Sequence, residues 1–290
     1  NIMANQKAVA KRPVDQLKAI LGADSVQEQF QNALKENSGA FVASIIDLYA
    51  SDSYLQQCDP GKVVAEALKA ATLKLPINKN LGFAYIVPYR DKGVQAPQFQ
   101  IGYKGYIQLA MRTGQYKYLN AGVVYEGEYK GRDKLTGIVD LSGEKTSDTV
   151  VGYFAYMELI NGFTKSVYWT IEEVTVHAKK FSKSYNSQSS AWKTNFDSMA
   201  IKTVIRNLLS KYGIMSIDMT TALTSDTDDE YRSAEEIRAE VRQNANTEVI
   251  DTDDYVVMDD EPIAEPDEPE QAQPTPDAAP MEEGQIELGF

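Results

Sequence analysis

The chain has one cysteine, Cys58, and one histidine, His177. A lone cysteine excludes an intrachain disulfide and fits a reducing, cytoplasmic setting. The two residues are too few for an ordinary zinc site, and they leave little for a Cys–His or Ser–His–Asp mechanism. No apolar run approaches the roughly 18 residues of a membrane helix, and no secretory signal is visible, so no membrane partner is expected. The phosphate-cradling Gly-Lys-Ser/Thr loop of ATP-driven motors is also missing, which argues against a helicase or an ATP-driven strand exchanger. No compact carboxylate–lysine arrangement of a metal nuclease is found, so neither a catalytic residue nor a metal or other cofactor is expected.

What is abundant is acid, and it is unevenly placed. The net charge is −13. Residues 246–290 carry 15 Asp or Glu and no Lys or Arg, and residues 226–245 carry 7 acids against 3 arginines. Subtracting both segments leaves the first 225 residues at +6. A mildly basic body is thus tied to a polyanionic end. The overall acidity therefore does not argue against a nucleic-acid partner.

The pattern along the chain predicts a flexible stretch over 1–12, then helices. Ser25-Val-Gln-Glu28 reads as a capping box opening a helix to about residue 36. A second apolar-rich helix covers 40–49. Asp59-Pro60 reads as an N-cap with a first-turn proline. Strands follow at 83–89 and 98–101, joined by 90–97 with Arg90 and Lys92 at the tip. A helix over 103–112 ends at Gly114, and a strand covers 118–125. Strands at 150–159 and 163–169 flank Asn161-Gly162, a hairpin signal. Thr170-Ile-Glu-Glu173 is a second capping box. A polar loop spans 180–190, and a long helix covers 191–212. A further helix is expected over 234–243. Beyond 246, six prolines among acids and small residues cannot bury enough apolar surface to offset ordering entropy. That segment reads as a disordered tail.

Residues 82–115 alternate tyrosines, glutamines and cations with small apolar residues, and Asp91 is their only acid. Aromatic faces stack on bases and cations neutralise phosphates, the combination used for sequence-tolerant single-strand binding. Half-buried strands with a solvated outer face give the same composition. On the helix from Tyr103, Lys104, Gln108 and Arg112 share one face. Lys117 follows. Between residues 179 and 211 the only acid is Asp197, against Lys179, Lys180, Lys183, Lys193, Lys202, Arg206 and Lys211. Lys202 and Arg206 fall on a different face from Phe196, Met199, Thr203, Leu208 and Tyr212, which fit a buried side. Phosphate contact and plain solvation both remain open for these cations. Trp169 and Trp192 read as core, and His177 as an ordinary helix residue.

Three segments carry a resemblance. They are Gly82-Phe-Ala-Tyr-Ile-Val-Pro-Tyr89, Gln100-Ile-Gly-Tyr-Lys-Gly-Tyr-Ile-Gln-Leu-Ala-Met-Arg-Thr-Gly-Gln115, and Trp192 followed by Met199-Ala-Ile-Lys-Thr-Val-Ile-Arg206. In this order they resemble the RecT family of phage single-strand annealing proteins, over about residues 20–225. The resemblance implies an ATP-independent, non-enzymatic protein that coats single-stranded DNA, anneals it into duplex and serves homologous recombination. It implies a homo-oligomer, ring or helical filament, and a phage exonuclease partner. It points to Tyr103, Lys104, Tyr106, Arg112, Lys202 and Arg206 as DNA contacts, with Arg90 and Lys92 between the motif strands. The expected fold is α+β: a helical N-terminal part, a central antiparallel sheet packed with helices, a long C-terminal helix and the acidic tail. The expected divisions are a core over 13–225, a linker or helix over 226–245, and the tail over 246–290.

Competing functions are a coating protein that does not anneal, a metal-dependent nuclease, and an adaptor that works through its tail. The tail ends in Gln285-Ile-Glu-Leu-Gly-Phe290, where apolar residues return abruptly. Gln285, Leu288 and Phe290 resemble the hexapeptide form of the bacterial sliding-clamp-binding motif. Mimicry of the tip of single-strand DNA-binding protein is a second option, and an unselected terminus a third.

Overall fold

The computed structural model describes residues 12–226, apart from Lys92, Lys183 and Ser189, and Asp91 through its backbone alone. The helix expected at 234–243, the tail and its clamp-like terminus lie outside the described residues.

Four helices open the chain: α1 (Pro13–Leu21), α2 (Asp24–Leu34), α3 (Ser38–Ser51) and α4 (Pro60–Thr72). Asp59 caps α4, its carboxylate accepting from the Lys62 amide at 2.9 Å, as its sequence predicts. The box expected at Ser25 does not form. Helix α2 starts two residues earlier, behind Ala23, and Gln27 instead donates to the Leu21 carbonyl. Leu17, Leu21, Phe30, Ile45 and Tyr49 close this bundle. The buried Ala67, Ala70 and Ala71 of α4 give the following hairpin a small-residue surface to pack on.

That hairpin is β1 (Ala84–Asp91) with β2 (Val94–Ile101). Its strands run further toward the tip than the expected 90–97 connection, with Arg90 paired to Gln95. Pairing continues because the turn closes at Gly93, whose φ of +89° few side-chain-bearing residues adopt. Ala84, Ile86, Phe99 and Ile101 are buried. By strand alternation Tyr85, Val87, Tyr89, Gln98 and Gln100 take the opposite face.

Helix α5 (Tyr103–Arg112) leads into a three-stranded antiparallel sheet. Its order is β3 (Tyr116–Tyr125), β6 (Val150–Leu159), β7 (Thr164–Thr170). The two-residue strands β4 (Gly131–Arg132) and β5 (Val139–Asp140) form a separate small ladder between β3 and β6, which the sequence pattern did not reveal. The Asn161-Gly162 turn joins β6 to β7 as expected, with Gly162 at φ +86°. Helix α6 (Ile171–Phe181) carries the expected capping box: the Glu173 amide donates to Thr170 Oγ1 at 3.1 Å, and the Thr170 amide to Glu173 at 2.8 Å.

The expected long helix over 191–212 is two. A single turn, α7 (Ala191–Thr194), ends at Asn195, whose φ of −152° breaks the helical path. Helix α8 (Phe196–Tyr212) then runs between the sheet and α5. Because it is covered on both sides it is buried almost all round, through Ala200, Val204, Ile205, Leu208 and Leu209 but also Lys202 and Arg206. Helix α9 (Ile217–Ser225), capped by Ser216, packs on α5 and β2. The architecture is α+β, as the sequence predicts.

Candidate nucleic-acid interface

The hairpin and the α7–α8 corner enclose a groove. It consists of two adjoining cavities of about 690 and 440 Å³. They share Val87, Gln100, Ala191, Thr194 and Met199. One wall is the outward face of β1 and β2, with Tyr85, Tyr89, Gln98 and Gln100, joined near the hairpin tip by the Arg90–Gln95 pair. The other is Ala191, Trp192, Thr194, Asn195, Ser198 and Met199. Tyr54 and serines of the 182–190 loop close one end, and Lys79, Asn80, Tyr103 and Lys104 the other. Among the described residues no Asp or Glu lines either cavity. A trough with cations, phenol rings, amides and hydroxyls but no carboxylate is suited to a polyanion carrying stackable groups.

Two glycines explain how the hairpin and α5 meet at the closed end. A Cβ on Gly102 would lie 2.2 Å from the Gly82 carbonyl oxygen, and one on Gly105 2.3 Å from that of Phe83. Both distances are far inside van der Waals contact, so only glycine fits. The Gly102 amide donates to the Phe83 carbonyl at 3.0 Å. The Gly-Tyr-Lys-Gly segment is therefore a packing device that presents Tyr103 and Lys104 to the groove.

The expected cations divide into groups. Arg90, Tyr103, Lys104 and Lys202 line the groove. Lys193 is exposed on α7 and sits over the Tyr185 ring, 4.7 Å from its centroid. Arg112, expected on a free basic stripe, instead donates to the carbonyls of Leu73 at 2.6 Å and Lys74 at 2.9 Å. It caps the end of α4, where Lys74 is held at φ +52°. Gln108 is exposed on α5 outside the groove lining. Lys117 pairs across strands with Glu158 at 2.6 Å, and Lys179 and Lys180 are exposed at the end of α6. None of these last three lines the groove. Lys92 and Lys183 lie outside the described residues.

The largest departure concerns Tyr106, Lys202 and Arg206. Rather than a solvent-facing stripe, they are almost fully buried, at 0, 3 and 3% exposure. They converge on Asp226, the residue after α9. Lys202 Nζ lies 3.2 Å and Arg206 Nη1 3.4 Å from its Oδ2, and the Tyr106 hydroxyl donates to the same oxygen at 2.7 Å. The Ile101 amide donates to Oδ1 at 3.2 Å. Burial works against ionising this carboxyl, but Lys202 and Arg206 outweigh it and hold its pKa below the ordinary carboxylate value. The physical reason for burial is position: α8 is the central helix, so its i, i+4 cations are almost wholly screened from solvent, Lys202 meeting it only through the groove lining, and need a counter-ion. Helical periodicity separates faces but does not tell how many of them are covered.

Sequence reasoning missed Asp226, Lys79, Tyr54, Tyr85 and Tyr89. A signal existed for the last two. Alternation along β1 buries Ala84 and Ile86 and turns Tyr85, Val87 and Tyr89 outward. For Asp226 there was none, because it stands among many acids of the same composition.

Two other readings hold in the structure. Trp192 is buried at 2% exposure. His177 packs between the rings of Trp169, 5.1 Å away, and Phe181, 4.6 Å away. Burial, with Arg206 and Lys180 adding, lowers its pKa to about 4, so it is neutral at pH 7.

The profile of the RecT family matches residues 39–243. The chain belongs to the RecT family. It is 46% identical over 258 residues to YqaK, an uncharacterized protein of Bacillus subtilis, covering 87% of this chain and 85% of that protein. It is 33% identical over 181 residues to the protein RecT of Escherichia coli, covering 59% of this chain and 65% of RecT. Family membership gives this RecT-family chain a role in DNA recombination through single-strand binding and annealing. Among the described residues no helix is long and apolar enough to cross a membrane.

Proposed function

We propose that the groove between the β1–β2 hairpin and the α7–α8 corner holds one DNA strand, and that the chain anneals it to a complement without ATP, as an oligomer. The observation that carries this reading is a lining with no carboxylate among the described residues and with Arg90 and Lys104 on its walls. Exposed cations grip phosphates and fix a backbone without reading sequence. Tyr85, Tyr89 and Tyr103 offer faces to bases, and Gln95, Gln98 and Gln100 offer hydrogen bonds to any of them. Annealing needs no bond chemistry, and we assign no catalytic residue. It needs the strand extended, its charge offset and its pairing edges available. Matched stacking, about 1.4 kcal/mol per base-pair step, then favours correct partners. Lining grooves end to end in a ring or filament turns many weak contacts into strong binding. The substrate strand would come from a partner exonuclease, in the cytoplasm of a bacterial host.

The test is to mix complementary oligonucleotides with the protein in the absence of ATP and follow duplex formation. Acceleration over the spontaneous rate supports annealing. Tight strand binding with slower duplex formation would identify a coating protein instead, and strand cleavage with magnesium a nuclease.

A further inference from the structure

The buried cluster at Asp226 is built like an anion site with its own occupant. Lys202 Nζ, Arg206 Nη1, the Tyr106 hydroxyl and the Ile101 amide all point at one carboxylate, at 3.2, 3.4, 2.7 and 3.2 Å. A phosphodiester offers the same chemistry, two anionic oxygens sharing one negative charge on a tetrahedral rather than planar centre. Two cations with an N–H and an O–H donor suit either. The cluster also adjoins the groove, because Lys202 and Ile101 both line its 440 Å³ cavity. Asp226 closes the last described helix, so it can leave by unwinding the final turn of α9, while Met219 near the start keeps the helix docked.

We propose that Lys202 and Arg206 form a DNA-phosphate site that Asp226 occupies in the free protein and vacates when a strand enters the groove. The exchange rests on the groove reading above and adds a step to it: strand binding releases the end of α9. The cations stay paired throughout, first with a carboxylate and then with a phosphate. Their burial in the free protein and their use in DNA contact are then two states of one site.

Two measurements test this on the full-length protein. In the wild type, hydrogen exchange of residues 217–226 is followed with and without oligo-dT. Faster exchange at the end of α9 in the complex supports release, and unchanged or slower exchange overturns it. Separately, Asp226→Asn keeps the shape and most hydrogen bonds but removes the charge. Its affinity for fluorescein-labelled oligo-dT should rise, while the log–log salt slope stays that of the wild type, because both complexes neutralise the same phosphates. Adding Lys202→Gln should cancel the increase. Unchanged or weaker binding by a folded Asp226→Asn protein overturns the exchange, and if that variant does not fold the wild-type hydrogen exchange decides. A wild type that does not bind oligo-dT overturns the groove reading itself, whereas normal binding with an unresponsive α9 overturns only the exchange.

Discussion

The Tyr106 hydroxyl donates to the Asp226 carboxylate at 2.7 Å, joining positions 120 residues apart in sequence. This bond ties the helix after the hairpin to the last turn of α9, and both partners are buried. A hydrogen bond to a charged acceptor contributes about 1.5–3 kcal/mol. Tyr106→Phe keeps the ring and leaves that carboxylate one donor short. Its midpoint in urea should fall by a corresponding amount with no change in the slope of the transition. An unchanged midpoint would show that the bond contributes nothing.

Lys104 and Arg112 stand on one helix but should behave differently. Lys104→Ala removes an exposed groove cation that makes no ion pair among the described residues. It should weaken oligo-dT binding about equally across sequences and reduce the salt slope by about 0.7, with unfolding unaltered. Arg112→Ala removes the donors to Leu73 and Lys74. It should lower the unfolding midpoint. Paired fluorescence-polarisation and thermal-melt measurements separate the two, and the reverse outcome would exchange their roles.

Gly102 tests the packing reading of the family segment. Any Cβ there meets the Gly82 carbonyl at 2.2 Å, so the backbone of the hairpin root or of α5 must shift. Overpacking of this kind costs about 1–3 kcal/mol. Gly102→Ala should therefore melt earlier and bind DNA more weakly, since Lys104 moves with it. Gly39→Ala on helix α3, where nothing lies within 4 Å of the added Cβ and the backbone is helical, should not weaken either.

His177 should make stability depend on pH. Its folded pKa of about 4 lies below the roughly 6.5 of an unfolded histidine, because burial disfavours the charged ring. Between those values the unfolded chain takes up a proton that the folded chain refuses, so stability falls as pH drops from 6.5 toward 4. Solvent screening limits the effect to on the order of 1–2 kcal/mol. Below that window Asp226 takes over with the same sign: its depressed pKa stabilises the fold above the ordinary carboxylate value, and protonation removes this. His177→Phe should flatten the denaturation midpoint between pH 4 and 6.5 alone. A profile identical to the wild type would exclude His177 as the cause.

The tail yields a prediction from sequence. A polyanion tethered to a basic body competes with DNA at high effective concentration. Truncation at residue 245 should raise strand affinity, most at low salt, as a salt titration will show. A peptide of residues 281–290 should bind the purified sliding clamp, and Gln285→Ala with Leu288→Ala should abolish that binding.

Local signals determined the elements. Asp59-Pro60, Thr170 with Glu173, and Asn161-Gly162 fix backbone groups within a few residues, so each was legible before any fold was known. The same holds for the outward face of the hairpin, because a period of two is local geometry. What the sequence could not decide was which helix would be central. The i, i+4 cations of α8 follow the same rule whether one flank is covered or two, and only the packing of α5 on one side and the sheet on the other turned Lys202 and Arg206 inward. The identity of their counter-ion was equally beyond sequence. Asp226 begins a run of acids that are chemically alike, and the end of α9 alone carries this one into the core. Arg112 makes the same point, because its partners are the carbonyls of another helix. Such groups belong to every residue and leave no mark in the sequence.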